Sequence, residues 1–157
     1  MKKHSLLKTA ALTAGAYTLG LHGRKGHPDL ELLRKYRFAH RGYHDKPAVP
    51  ENSLPAFHRA IARGWGAELD VHLMKDGTLA VIHDSSLLRT AGADVQIEEL
   101  TREELENYRL EGTDERIPLF DEVLALFEDA TPLIIELKAA GGNHFALAKA
   151  VCERLDT

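Results

Sequence analysis

Glu68 and Asp70 stand two residues apart inside an apolar run from Ala67 to Leu73. On a strand, residues i and i+2 point to the same face, which places these two carboxylates side by side. Adjacent anions repel unless something positive sits between them. A second run, Leu133 to Leu137, repeats the arrangement, with Glu136 and Lys138 on one face and Leu133, Ile135 and Leu137 on the other. It offers a third carboxylate, and oxygen-only ligands of this kind suit a hard cation, Mg²⁺ or Ca²⁺, better than Zn²⁺. The same alternation is also the ordinary solvent face of a half-buried sheet, so each pair alone does not decide.

Histidines at strand ends supply a second ingredient. His40 and His83 each follow an apolar run and precede a polar residue in a turn. In α/β proteins, loops at the carboxyl ends of parallel strands carry the active site, and imidazole exchanges protons near neutral pH. A single histidine is more often a hydrogen-bonded structural residue, and His4, His22, His27, His44, His58, His72 and His144 keep that reading. His72 is set apart from these because it shares the face of Glu68 and Asp70.

The elements that must hold these residues follow from local pattern. Short apolar runs alternate with helical patterns from Tyr36 onward, the order of an α/β fold. A strand through Phe38 and Ala39 ends at His40-Arg41-Gly42. Asn52 or Ser53 caps a helix with Leu54, Phe57 and Ile61 on one face, closed by Gly64. Leu79 to Ile82 is a buried strand ending at His83-Asp84. Thr101 and Glu104 form a capping box for a helix through Leu105 and Tyr108. Further helices run through Val123, Leu124 and Phe127, and from Phe145 to Leu155. The single Cys152 can form no internal disulfide, and its place in the last helix predicts a buried filler.

Seven ordered motifs together resemble the glycerophosphodiester phosphodiesterase family. They are H-R-G at His40, P-E-N-S at Pro50, E-L-D-V at Glu68, K-D-G-T at Lys75, H-D at His83, I-P-L-F at Ile117 and I-E-L-K at Ile135. The resemblance covers about Arg37 to Lys138 and implies a TIM-type (β/α) barrel. It implies a divalent cation held by Glu68, Asp70 and Glu136, with His40 and His83 as the general acid and base. Arg41 would grip a phosphate oxygen, Lys138 would sit beside the metal, and Glu51 and Asn52 would support the substrate site. Taken by themselves, Arg41 is equally a surface ion-pair partner and Asn52 a helix cap. The implied substrate is a small glycerophosphodiester, cleaved to an alcohol and glycerol phosphate.

The segment between Asp70 and His83 is short for a helical crossover, and Asp76-Gly77 is a hairpin signal. An extended return of about 8 residues spans about 26 Å, so parallel strands are expected, a hairpin being taken to leave His83 at the wrong end. A complete barrel needs about 250 residues. Four strands here predict a half-barrel, whose open edge calls for a second copy or marks a truncated chain. An inactive fragment, a phosphodiester-binding module and a phosphoinositide- or sphingolipid-type phosphodiesterase are the alternatives. The spacing from H-R-G to P-E-N-S argues against the last.

Composition narrows the partners. A hydrophobic content of 44% supports one ordinary core, and a net charge of -4 with interspersed Lys and Arg gives no broad basic surface for nucleic acid. Residues 1–25 read separately: Lys2, Lys3 and Lys8 precede an apolar stretch from Thr9 to Leu21, followed by Arg24 and Lys25. This is a signal-like or membrane-directed segment, short for a span, and it predicts membrane association or export, with a cytoplasmic location as the alternative. The domain itself is placed at 36–157.

Overall fold

The computed structural model describes residues 28–156; the expected membrane-directed segment lies outside the described residues. The chain divides into two compact units, Met1–Lys35 and Tyr36–Thr157. In the first, the described residues include the short helix α1 (Pro28–Leu33). No helix among the described residues is long and apolar enough to cross a membrane.

The second unit is built on β2 (Gly66–Leu73). Strand β1 (Phe38–Ala39) pairs parallel to its start, Phe38 opposite Gly66. Gly66 is required there, because a Cβ would come within 2.6 Å of the Phe38 ring and of the Pro132 carbonyl. Strand β4 (Leu133–Leu137) pairs parallel along the other edge, with Glu68 opposite Ile134 and Asp70 opposite Glu136. Alternation then sorts the side chains. Ala67, Leu69 and Val71 turn into a core with Phe57, Phe120, Phe127, Leu147 and Val151, while Glu68 and Asp70 occupy the opposite face.

Helices α2 (Leu54–Ile61), α5 (Phe120–Phe127) and α6 (His144–Leu155) supply the other half of that core. Of the two expected caps, Ser53 starts α2: its Oγ accepts from the Ala56 amide and donates to the Pro50 carbonyl. Phe57 and Phe127 meet edge to face, ring centroids 5.9 Å apart. Parallel strands with helices on one face make this a partial TIM-type barrel.

Two expectations about the sheet are corrected. Strand β3 (Leu79–Val81) is antiparallel to β2, with Val71 opposite Val81 and Leu73 opposite Leu79. The turn residues decide this: Gly77 takes φ 86°, and Asp76 accepts from the Thr78 amide at 3.0 Å, closing a hairpin that an extended return would leave open. Hence, among the described residues, three strands, not four, form the parallel wall, and β4 lies directly beside β2.

The chain beyond β3 forms a second cluster around Ile82, Leu87, Ile97, Leu105, Leu110 and Ile117. It contains α3 (Leu88–Ala91), a 3₁₀ turn at Ile97–Glu99 and α4 (Arg102–Leu105). The Thr101/Glu104 capping box is present, but α4 stops short of Tyr108, where the Asn107 side chain caps the Glu104 carbonyl at 3.1 Å. Cys152 is exposed, contrary to expectation: Leu147 and Val151 are the buried residues of α6, and one further residue rotates about 100° out of that face.

Candidate active site

Because Asp70 and Glu136 are register partners on neighbouring parallel strands, their side chains stand on the same face. One carboxylate oxygen from each of Glu68, Asp70 and Glu136 lies within 4.8 Å of the others. Asp70 is fully buried and Glu136 half exposed. Lys138 Nζ reaches both, at 3.1 Å from Asp70 Oδ1 and 2.7 Å from Glu136 Oε1. Glu136 is held below the usual carboxylate range by its bond from Lys138, with His83 and Arg41 contributing charge at longer range. Burial pulls Lys138 down, but its bonds to Glu136 and Asp70 prevail and its pKa ends above the ordinary value.

The turn after β1 closes on these carboxylates. Arg41 and Gly42 both take positive φ, 54° and 77°, and Gly42 is needed twice over, since a Cβ would meet Ala56 Cβ at 2.8 Å. In that conformation the Arg41 amide donates to Glu68 Oε2 at 2.9 Å, and its guanidinium Nε lies 3.5 Å from Asp70 Oδ2. His40 projects into solvent, its Nε2 3.8 Å from Glu68 Oε2. Asn52, buried and also at positive φ (52°), donates from Nδ2 to Asp70 Oδ2 at 2.9 Å. It is therefore no helix cap; asparagine tolerates this backbone conformation better than most residues.

The donor set fits a hard divalent cation. Three carboxylates converge where Lys138 and Arg41 are neighbouring positive charges; buried Asn52 Oδ1 accepts no hydrogen bond, and buried Asp70 Oδ1 faces the Lys138 ammonium at 3.1 Å. A buried acceptor left without a hydrogen bond costs free energy, which a bound cation or substrate hydroxyl would recover.

Glu51 organises the positive groups. Its Oε1 accepts from Arg41 Nη1 at 2.9 Å and Arg89 Nη2 at 2.7 Å, and its Oε2 lies 2.8 Å from Lys46 Nζ. Burial would raise its pKa, yet the bonds from Arg89, Lys46 and Arg41 drive it far below the carboxylate range. Arg89 also donates from Nε to Asp84 Oδ2, and Asp84 Oδ1 lies 2.6 Å from His83 Nδ1. Asp84 is itself held below its usual range, first by Arg89, against a burial effect of opposite sign. With Nδ1–H committed to Asp84, the free nitrogen of His83 is Nε2.

The structure thus gathers Glu68, Asp70, Glu136, Lys138, Arg41, Glu51, Asn52 and His40 around one patch of the β2–β4 face, and ties His83 to Glu51 through Asp84 and Arg89. Sequence reasoning missed Arg89, Lys46 and the role of Asp84. Arg89 sits on a four-residue helix with no pattern of its own to announce it.

Residues 40–144 match the family model described as the glycerophosphoryl diester phosphodiesterase family. The chain is 41% identical over 128 residues to a glycerophosphodiester phosphodiesterase of Bacillus altitudinis, covering 76% of this chain and 51% of that protein. It is 36% identical over 140 residues to lysophospholipase D GDPD1 of Rattus norvegicus, covering 79% and 43%. Among solved structures, a phosphodiesterase of Oleispira antarctica in complex with the product sn-glycerol-3-phosphate superposes with a TM-score of 0.69 at 30% identity, covering 76% of this chain and 51% of that one. A glycerophosphodiester phosphodiesterase of Thermotoga maritima gives a TM-score of 0.61 at 39% identity, covering 74% and 47%. The chain spans about half the length of the curated relatives it matches.

Proposed function

Because this chain belongs to the glycerophosphoryl diester phosphodiesterase family, we propose that it provides the catalytic face of a divalent-cation-dependent hydrolase that cleaves glycerophosphodiesters to an alcohol and glycerol phosphate. The observation that carries this reading is the convergence of Glu68, Asp70 and Glu136 within 4.8 Å, beside Arg41 and Lys138. A small anionic diester needs such a balance of charge: positive groups for its non-bridging oxygens and proton carriers for the oxygens that change partners.

In this reading Glu68, Asp70 and Glu136 hold Mg²⁺ or Ca²⁺, which when bound neutralises charge building on the phosphoryl oxygens. Arg41, anchored by Glu51, presents its remaining N–H groups to a phosphate oxygen. Lys138 keeps a positive charge between Asp70 and Glu136. Asn52 fixes the Asp70 carboxylate from behind. His83, oriented by Asp84, exchanges a proton at Nε2 with an attacking or departing oxygen, and His40, 3.8 Å from Glu68, is the second proton carrier. Phosphorus NMR of a glycerophosphocholine digest tests the assignment: glycerol phosphate as product supports it, whereas phosphocholine would mean that the other ester bond is cut.

Self-association is part of the same proposal. Among the described residues β4 pairs with β2 alone, and Ile134 and Leu137 stand 45% and 40% exposed. A second copy against this edge would cover them. Light scattering across a concentration series tests this, and a monomer at every concentration would contradict it.

A further inference from the structure

His72 is buried, 2% exposed, on the carboxylate face of β2, yet its ring bonds to groups outside the carboxylate cluster. Its Nδ1 lies 2.6 Å from Glu98 Oε1 and its Nε2 lies 3.1 Å from the carbonyl oxygen of His83. The carbonyl oxygen can only accept, so Nε2 carries a proton toward it, and Nδ1 meets the Glu98 carboxyl group at hydrogen-bond distance. Burying an imidazole without such partners would be costly, and here the two bonds join three separate elements: β2, the 3₁₀ turn and the segment that leaves β3.

That segment is where His83 must be held. The β2–β3 pairing ends with the Ile82 amide on the Asp70 carbonyl, and the chain then departs from the sheet. Residues 83–85 are tied down by the Glu98 turn instead. Glu98 Oε1 accepts the Ser85 hydroxyl at 2.8 Å, the Ile97 amide donates to the Ser85 carbonyl at 2.8 Å, and His72 takes the His83 carbonyl.

We propose that His72 is a positioning residue for His83: with Glu98 it clamps the peptide carrying His83, so that the imidazole faces the site at the level of Asp70. The proposal rests on the reading of His83 as a proton carrier. Asp84 sets the ring and His72 sets the backbone; neither bond of His72 goes to Glu68, Asp70 or Glu136.

The test compares wild type with His72→Phe, which keeps an aromatic ring and removes both hydrogen-bonding nitrogens. Two gentler variants, Glu98→Gln and Ser85→Ala, loosen the same clamp without emptying the buried site. Ring-labelled histidine spectra of the intact chain, with the His83 signal identified by its loss in His83→Gln, report the order of His83 directly. A single His83 signal in wild type should broaden or split in His72→Phe, and less so in Ser85→Ala, while cooperative thermal unfolding persists. Turnover of glycerophosphocholine should fall about 10–100-fold in kcat with little change in KM, the cost of misplacing a reacting group. An unchanged His83 signal and unchanged kcat in folded variants would overturn the proposal. An inactive wild type would instead count against the hydrolase reading, and the spectra would still decide whether His72 orders His83.

Discussion

The amide of Ile82 donates to the carbonyl of Asp70 at 3.1 Å. This bond extends the β2–β3 hairpin past Val81 and brings His83 back to the level of the carboxylates. A hairpin therefore serves the site as well as a parallel return would. Glu68 and Asp70 sit in the middle of an eight-residue strand rather than at its end, so an antiparallel arm turning at Asp76-Gly77 delivers its far end beside them.

Arg89 joins the two sides of the site through Asp84 and Glu51. Arg89→Gln is expected to lower kcat about 10–100-fold, because Asp84 loses the partner that holds it on His83 Nδ1. Arg89→Lys should restore little, since a single ammonium lacks the planar fork that reaches two carboxylates. Steady-state kinetics of both variants check this, and full activity in Arg89→Gln would remove Arg89 from the account.

Glu51 makes stability depend on pH. Its folded pKa lies well below the unfolded value of about 4.3. The stabilisation is therefore complete above the unfolded value and is lost as pH falls through the folded one. Two of its cationic partners, Lys46 and Arg89, have side chains 43% and 44% exposed, and solvent screening weakens those pairs. Glu51→Gln should cost about 1–2 kcal/mol at pH 7. Thermal unfolding from pH 7 to pH 3 should show the gap between variant and wild type narrowing below about pH 4.

Cation binding should appear as stabilisation, independent of turnover. A ligand at about 100 times its Kd adds about 2.7 kcal/mol, so saturating Mg²⁺ or Ca²⁺ should raise the Tm of wild type. Asp70→Asn and Glu68→Gln should abolish most of that rise. An equal rise in wild type and both variants would place the cation elsewhere.

Gly42→Ala tests the turn that aims Arg41. The added Cβ would meet Ala56 at 2.8 Å on a backbone of φ 77°, and positive φ with overpacking should cost about 2 kcal/mol or more. Denaturant unfolding measures it, and a near-neutral effect would show that the turn can relax.

Much of this site was legible because strand periodicity is short-range. Glu68, Asp70, Glu136 and Lys138 could be assigned to faces from spacing alone, and β4 runs over the expected Leu133–Leu137. What periodicity does not carry is the direction of a strand or its neighbour. Asp76-Gly77 signalled a hairpin, but reach along the chain suggested a parallel return, and the turn hydrogen bonds decided for the hairpin. Bonds between residues distant in sequence were also hidden. Glu98 meets His72 across 26 positions, and Arg89 meets Glu51 across 38. Cys152 was misplaced for a simpler reason: Leu147 and Val151 define the buried stripe, and the next residue points out of it.

The hydrolase reading stands or falls on glycerophosphocholine hydrolysis by this chain with added Mg²⁺ or Ca²⁺, with Glu68→Ala and His83→Ala assayed in parallel. Wild type is expected to release glycerol phosphate in a cation-dependent way, and both variants to lose that release. Folded, cation-loaded wild type that releases none would contradict that reading.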